Sequence, residues 1–404
     1  MSNGILTPSG AHSNDLVIDT DRHIMETWSI FSQYCEPDLM PFVYQRTTLP
    51  DGTGGISIAG RPTQFSDALW DNPYANRMFA DDRFRPNKPL TEGLDPGGYL
   101  SAMDREGIDA AIITPTLAMG SCAAPDGRIG SALCRAYARW VSEFCSIAPK
   151  RMLRVFPVNL NDVDLAIKDC TWALEQMDFA GLFIVPLPVR GRRLHHPDFD
   201  RFWARLNDWD RPVIFHTLSS LPDPEGRGPL VDMIPAAASF GANIFFHHMA
   251  AHRIEQHFAT ASIVAGGVLE KYPKVRVLFT EAGGGWMQSW LDYMDEHFDS
   301  DQMRRWVPWL KLRPSEYFHR QCLVSYHPTE KVEGTMGGSL KVESLCWSSD
   351  YPHHDSVFPG AVDRLSANSS GLTMDERSKL LGGNVARFLG IERTTNVTRI
   401  AART

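Results

Sequence analysis

Eight short runs rich in Val, Ile, Leu and Phe recur along the chain, and most are separated by stretches whose apolar residues return every three or four positions. They are LVIDTD (16–21), IDAAIITPT (108–116), MLRVFPVNL (152–160), GLFIVPLPV (181–189), PVIFHT (212–217), VRVLFTEAG (275–283), CLVSYH (322–327) and ESLCWSSDYP (343–352). Between them, RIGSALCRAYARWVSEFCSIAP and DVDLAIKDCTWALEQM carry the spacing of amphipathic helices. Strand and helix alternating about eight times predict an α/β protein whose parallel sheet closes into a (β/α)8, TIM-like barrel. The competing doubly wound sheet would want a GxGxxG turn after its first strand, and none follows residue 21.

Two stretches exceed the repeat. Residues 24–100, rich in Pro, Asp, Asn, Gly and aromatics, form an inserted segment after strand 1, and residues 218–274 make a long connection after strand 5. Both are expected as walls or lids over one mouth of the barrel, because insertions gather where functional loops already lie. Packing accounts for Trp28, Phe31, Tyr34, Phe42, Tyr44 and Trp70, which could also wall a pocket for a bulky apolar substrate. The whole chain, 1–404, reads as one elaborated domain ending in a flexible tail, 391–404.

The chemistry is expected at the strand ends. Strand 1 finishes with Asp21 and His23, two apart and so on one face; strand 5 finishes with His216, strand 6 with Glu281 and strand 8 with Asp350. A barrel brings these carboxyl ends to one mouth. One such residue usually makes a structural hydrogen bond, but five from four strands leave carboxylates crowded together in need of a cation. Mixed imidazole and carboxylate ligands suit Zn, Mn or Fe(II), with room for one ion or two.

Composition excludes other classes. With 43% hydrophobic and 22% charged residues the chain can bury a large core, and a net charge of −8 argues against nucleic acid as a partner. No signal peptide or bilayer-length apolar run is evident, so a cytoplasmic protein without membrane contact is expected. The seven cysteines show no CxxC pair and read as plain thiols.

IDTDRH, RPVIFHT, EKYPKVRVLFTEAGGGWM and WSSDYPHHDS, supported by AMDREGIDAAIITPT and GGNVARFLG, resemble the amidohydrolase superfamily over about residues 16–390. The likeness is to the branch with aminocarboxymuconate-semialdehyde decarboxylase and γ-resorcylate decarboxylase. It implies that Asp21 and His23 replace the usual His-x-His or Glu-x-His pair, that His216 is the strand-5 ligand, and that Asp350 touches metal and moves protons. Glu281 stands where those decarboxylases usually have histidine, adding an oxygen ligand or bridge. Related barrels often pair, so a homodimer is a reasonable assembly, although no interface signature stands out.

Three functions follow. The leading expectation is hydrolysis of an amide, ester, lactone or thioester, including the acyl-CoA type, by metal-activated water, with Asp350 as proton carrier and Glu281 as second base or ligand. The alternative is non-oxidative decarboxylation of an aromatic or unsaturated acid, with Arg22, Arg190, Arg192 or Arg193 available for a carboxylate. The third is a barrel that binds a small molecule without catalysis. His353 is a candidate proton relay beside Asp350, whereas His247, His248, His252, His257 and His354 stay unassigned. The glycine turn opening the helix at 283–298 could hold an anionic group.

Overall fold

The computed structural model describes residues 15–26, 29–42, 45–48, 54–58, 61–62, 95–218, 247–335, 337–353 and 356–391. Eight parallel strands lie in sequence order: β1 (Ile18–Ile24), β2 (Ala110–Pro115), β3 (Met152–Pro157), β4 (Gly181–Ile184), β5 (Pro212–Phe215), β6 (Arg276–Phe279), β7 (Cys322–Tyr326) and β8 (Leu345–Trp347). Backbone bonds from Asp350 N to Asp21 O (3.1 Å) and from His23 N to Tyr351 O (2.7 Å) join the segment after β8 to β1 and bring the sheet round to a nearly closed barrel.

Most connections are helical: α1 (Pro96–Glu106) before β2, then α2 (Gly127–Phe144), α3 (Val163–Gln176), α4 (Asp200–Trp209), α5 (His252–Ile263), α6 (Met287–Asp299) and α7 (Pro314–Gln321). Asp95, Asp126 and Asp162 start α1, α2 and α3 by accepting backbone N–H groups that the first helical turn leaves unpaired. The β7–β8 connection departs from the expected alternation, carrying among its described residues only short 3-10 turns at Glu333–Thr335 and Val342–Ser344. After β8 come α8 (Ala361–Asn368) and α9 (Asn384–Leu389).

Two apolar layers surround the strands. Outward side chains such as Ala111, Ile113, Phe156, Leu182 and Phe215 pack under the helices. Inward ones, Ile18, Ile112, Val155, Phe183, Ile214, Leu278 and Leu323, fill the barrel, and Val385 and Phe388 of α9 join that interior cluster. Above this floor the inward positions turn polar: Ser325 Oγ donates to Ser348 Oγ at 2.6 Å, and Thr20 Oγ1 to Trp347 O at 2.8 Å.

Within the inserted segment, residues 29–42 pack on α2, where Glu36 accepts from Arg135 and Arg139 at 2.9 Å each. Three short antiparallel strands follow, at Gln45–Thr48, Gly54–Ile58 and Arg61–Pro62. Trp28, Tyr44 and Trp70, most of the expected lid at 63–94, the connection at 219–246 and the tail after 391 fall outside the described residues. Among those described, no helix is long and apolar enough to cross a membrane.

Candidate metal centre

A break in pairing at β1 builds the site. Asp19 pairs with Ala111 of β2, but Arg22 pairs with Ile113, so three steps along β1 match two along β2. The extra residue is a bulge, and it resets the alternation of faces. Ile18 and Thr20 point inward; after the bulge Asp21 and His23 do so too, and Arg22 turns outward. Unbroken alternation from Ile18 would have put the metal-capable pair under the helices.

His23 Nδ1 lies 2.8 Å from Pro115 O and His216 Nδ1 lies 2.8 Å from Thr217 O. A carbonyl only accepts, so both Nδ1 atoms carry hydrogen, and each ring when neutral presents an Nε2 lone pair. Those two Nε2 atoms face one another at 3.0 Å. Around them lie Asp21 Oδ1 (3.5 Å from His23), Asp350 Oδ1 (3.4 Å from His23), Asp21 Oδ2 (3.4 Å from His216) and Glu281 Oε2 (3.5 Å from His216). Facing lone pairs ringed by carboxylates repel unless a cation sits among them.

The donor set fits a metal. Bonds of ~2.1 Å at angles between a right angle and the tetrahedral value put neighbouring ligand atoms roughly 3.0 to 3.4 Å apart, close to the spacing seen. Asp21 Oδ2 is fully buried yet accepts no hydrogen bond from the described residues, whereas Oδ1 accepts from Thr114 Oγ1 at 2.8 Å. Asp21, His23, His216 and Glu281 form one group that could hold an ion; His23, Glu281, Asp350 and His353 form an overlapping one. His353 Nδ1 and Asp350 Oδ1 are 2.8 Å apart, a hydrogen-bond distance shorter than two ligands of one ion would keep.

Burial pushes Asp21 up to about 7, against the pull of the His216 charge and with a further push from Glu281. In His216 burial works the other way, but the Asp21 and Glu281 carboxylates outweigh it and lift the ring to about 9. Burial, then the neighbouring His353 and His216, hold His23 well below its ordinary value. A proton on His216 thus does electrostatically what a metal ion would do, and the two compete for the site.

Glu281 (φ 66°) and Asp350 (φ 54°) both adopt left-handed backbone without being glycine. Each such residue costs about 1–3 kcal/mol and persists only where its surroundings hold it. The His353 ring stacks on His23 at 3.9 Å between centroids, and its Nε2 lies 3.3 Å from Thr116 Oγ1.

A model of the family described as amidohydrolase matches residues 18–391. The chain belongs to that amidohydrolase family. No curated protein sequence matches it. An amidohydrolase from Mycobacterium avium subsp. paratuberculosis K-10 has the same fold, with a TM-score of 0.72 at 18% identity over 94% of this chain and 100% of that one. A 5-carboxyvanillate decarboxylase from Novosphingobium aromaticivorans DSM 12444, complexed with manganese and 4-hydroxy-3-methoxy-5-nitrobenzoic acid, gives 0.62 at 18% identity over 96% and 100% of the two chains. A dihydroxybenzoic acid decarboxylase from Polaromonas sp. JS666, with manganese and 2-nitroresorcinol, gives 0.60 at 15% identity over 95% and 99%. Family and fold together support an enzyme, whether hydrolase or carboxy-lyase.

The other candidate residues have surroundings of their own. Arg22 does not reach the mouth: it is fully buried outside the barrel wall, 4.0 Å from the Tyr351 ring. Arg192 pairs with Asp198 and Arg193 lies over Phe258 at 4.4 Å, leaving Arg190 exposed in its turn. The glycine turn before α6 already holds an anion of the chain's own, since Gly284 N and Gly285 N donate to Glu330 at 3.0 and 3.1 Å. His257 packs against Trp286 and Trp290, and neither it nor His252 belongs to a potential metal group among the described residues. The side chains of His247 and His248, and all of His354, fall outside the described residues. Thr114 and Thr116 were missed, although they end the polar tip of AIITPT two apart, the same signal that flags Asp21 and His23.

Proposed function

We propose that the chain catalyses metal-dependent, non-oxidative decarboxylation of an aromatic or unsaturated carboxylic acid, with Asp21, His23, His216, Glu281 and Asp350 holding one divalent cation. The observation that carries the reading is the ring of donor atoms spaced 3.0 to 3.5 Å apart with Asp350 also bonded to His353. Decarboxylases of the same fold that bind manganese and substituted aromatic ligands support it. A cation held there would neutralise a chelated carboxylate and its neighbouring oxygen.

Asp350, when protonated, delivers its proton to the carbon bearing the carboxylate, and the π electrons of the substrate form the new C–H bond. The bond to the carboxylate then breaks, its electron pair restores the π system, and carbon dioxide leaves. His353 returns a proton to Asp350 across their 2.8 Å contact, its far nitrogen steadied by Thr116. Buried Asp21 and the two imidazoles stay fixed throughout.

Acyl-bond hydrolysis is the second reading, favoured by Glu281, whose carboxylate beside His216 offers a further base for an attacking water. Manganese-loaded protein should be incubated with hydroxybenzoic acids, aryl esters, lactones and acyl thioesters. The proposal expects carbon dioxide in step with loss of a hydroxybenzoic acid. Release of an acid from an ester, lactone or thioester, without carbon dioxide from any substrate, would replace it with hydrolysis.

A further inference from the structure

Behind the metal-capable cluster lies a second polar group that touches none of its ligand atoms. The Asp19 carboxylate, fully buried on the outer face of β1, accepts from Ser349 N (3.0 Å), Ser349 Oγ (2.5 Å) and Asp21 N (3.3 Å). Arg22 Nη1 lies 3.5 Å from both Asp19 Oδ2 and Ser349 Oγ, with the guanidinium set 4.0 Å from the Tyr351 ring and 5.1 Å from that of Tyr99. Ser349 Oγ also accepts from Tyr351 N at 3.1 Å, and Tyr99 OH lies 3.1 Å from the carbonyls of both Arg22 and His23.

As a device for stability this is poor. The ion pair is long, both partners are desolvated, and Arg22 Nε and Nη2 find no acceptor among the described residues. As a device for geometry it is well placed. One carboxylate ties the bulge that turns Asp21 and His23 inward to the serine immediately before Asp350, across 330 residues of sequence. From the other side Asp350 N donates to Asp21 O at 3.1 Å, so the left-handed backbone of Asp350 is held between two anchors on β1.

We infer that Asp19, Arg22 and Ser349 are positioning residues that set Asp21, His23 and Asp350 at ligand spacing, so that metal geometry at this site is controlled from outside the barrel. The inference rests on the proposed metal site, and its test separates the two. Wild-type protein, Ser349→Ala and Asp19→Asn are stripped of metal and titrated with Co(II), reading the visible spectrum and the dissociation constant, with thermal unfolding of the metal-free forms measured alongside. Ser131→Ala serves as control, because it removes a buried hydroxyl that binds Asp169 far from the cluster.

The expected result is Co(II) binding about 10- to 100-fold weaker in both variants, with an altered visible spectrum, and an unchanged spectrum in Ser131→Ala whatever its unfolding midpoint. Should Asp19→Asn fail to fold, Ser349→Ala, the loss of one oxygen, decides alone. Wild-type spectrum and affinity in Ser349→Ala would overturn the inference and leave the metal site standing. Absence of Co(II) binding by wild-type protein would overturn both.

Discussion

Asp350 joins three properties seldom found in one residue: a carboxylate 3.4 Å from His23 Nε2, a 2.8 Å contact with His353, and a backbone φ of 54°. The first suits a metal ligand, the second a proton carrier, and the third requires a residue that tolerates the left-handed region. Asparagine shares that tolerance and still offers an oxygen. Asp350→Asn should therefore fold and take up metal, yet turn over about 10²- to 10⁴-fold more slowly. Steady-state kinetics beside metal analysis checks this; near-normal turnover would remove Asp350 from proton transfer. His353→Gln keeps polarity but cannot carry the proton, and a loss of about 10- to 100-fold is expected, read as a fall in kcat at little changed metal content.

At the element scale, residues 29–42 are held on α2 by charge. Partial burial pushes Glu36 up, but the hydrogen bonds and charges of Arg135 and Arg139 win and hold it at about 2. A carboxyl depressed in the fold stabilises it fully above the ordinary value near 4.5, and that support drains away as pH falls from there towards 2. Because Glu36 is partly exposed, Glu36→Gln should cost only about 1 kcal/mol at neutral pH. Urea unfolding at several pH values should show the deficit shrinking below about pH 4.5; a deficit independent of pH would mean the contact is not ionic. The β1 bulge shows what the letters could and could not reveal. IDTDRH displays Asp21 and His23 two apart, which puts them on one face, but which face depends on pairing with β2, a contact between residues 92 apart for Asp19 and Ala111. The same shift sends Arg22 outward, away from any substrate. Glu330 was equally hidden, since nothing in HPTEK says that its carboxylate will fill the glycine turn before α6.

Across the whole molecule the barrel was legible because eight apolar runs and their helical spacers report burial, which is local, whereas the short 3-10 turns of the β7–β8 connection and the packing of the insert report tertiary choice. The strand ends were legible for a similar reason: an acid or imidazole closing an apolar run needs a compensating partner. Compensation by a bound ion makes stability depend on it, because metal binds the folded site far better than the unfolded chain. At a metal concentration a hundred times its dissociation constant the fold gains about 2.7 kcal/mol. Chelation should lower the midpoint of thermal unfolding and restored Mn(II) should return it, with no such response in His216→Ala. Convergence of Asp21, His23, His216, Glu281 and Asp350 on one cation would be seen in a crystal structure of Mn(II)-loaded protein with anomalous scattering. One strong peak bonded to both His23 Nε2 and His216 Nε2 is expected; a metal bound elsewhere, or none between those two nitrogens, would rule that convergence out.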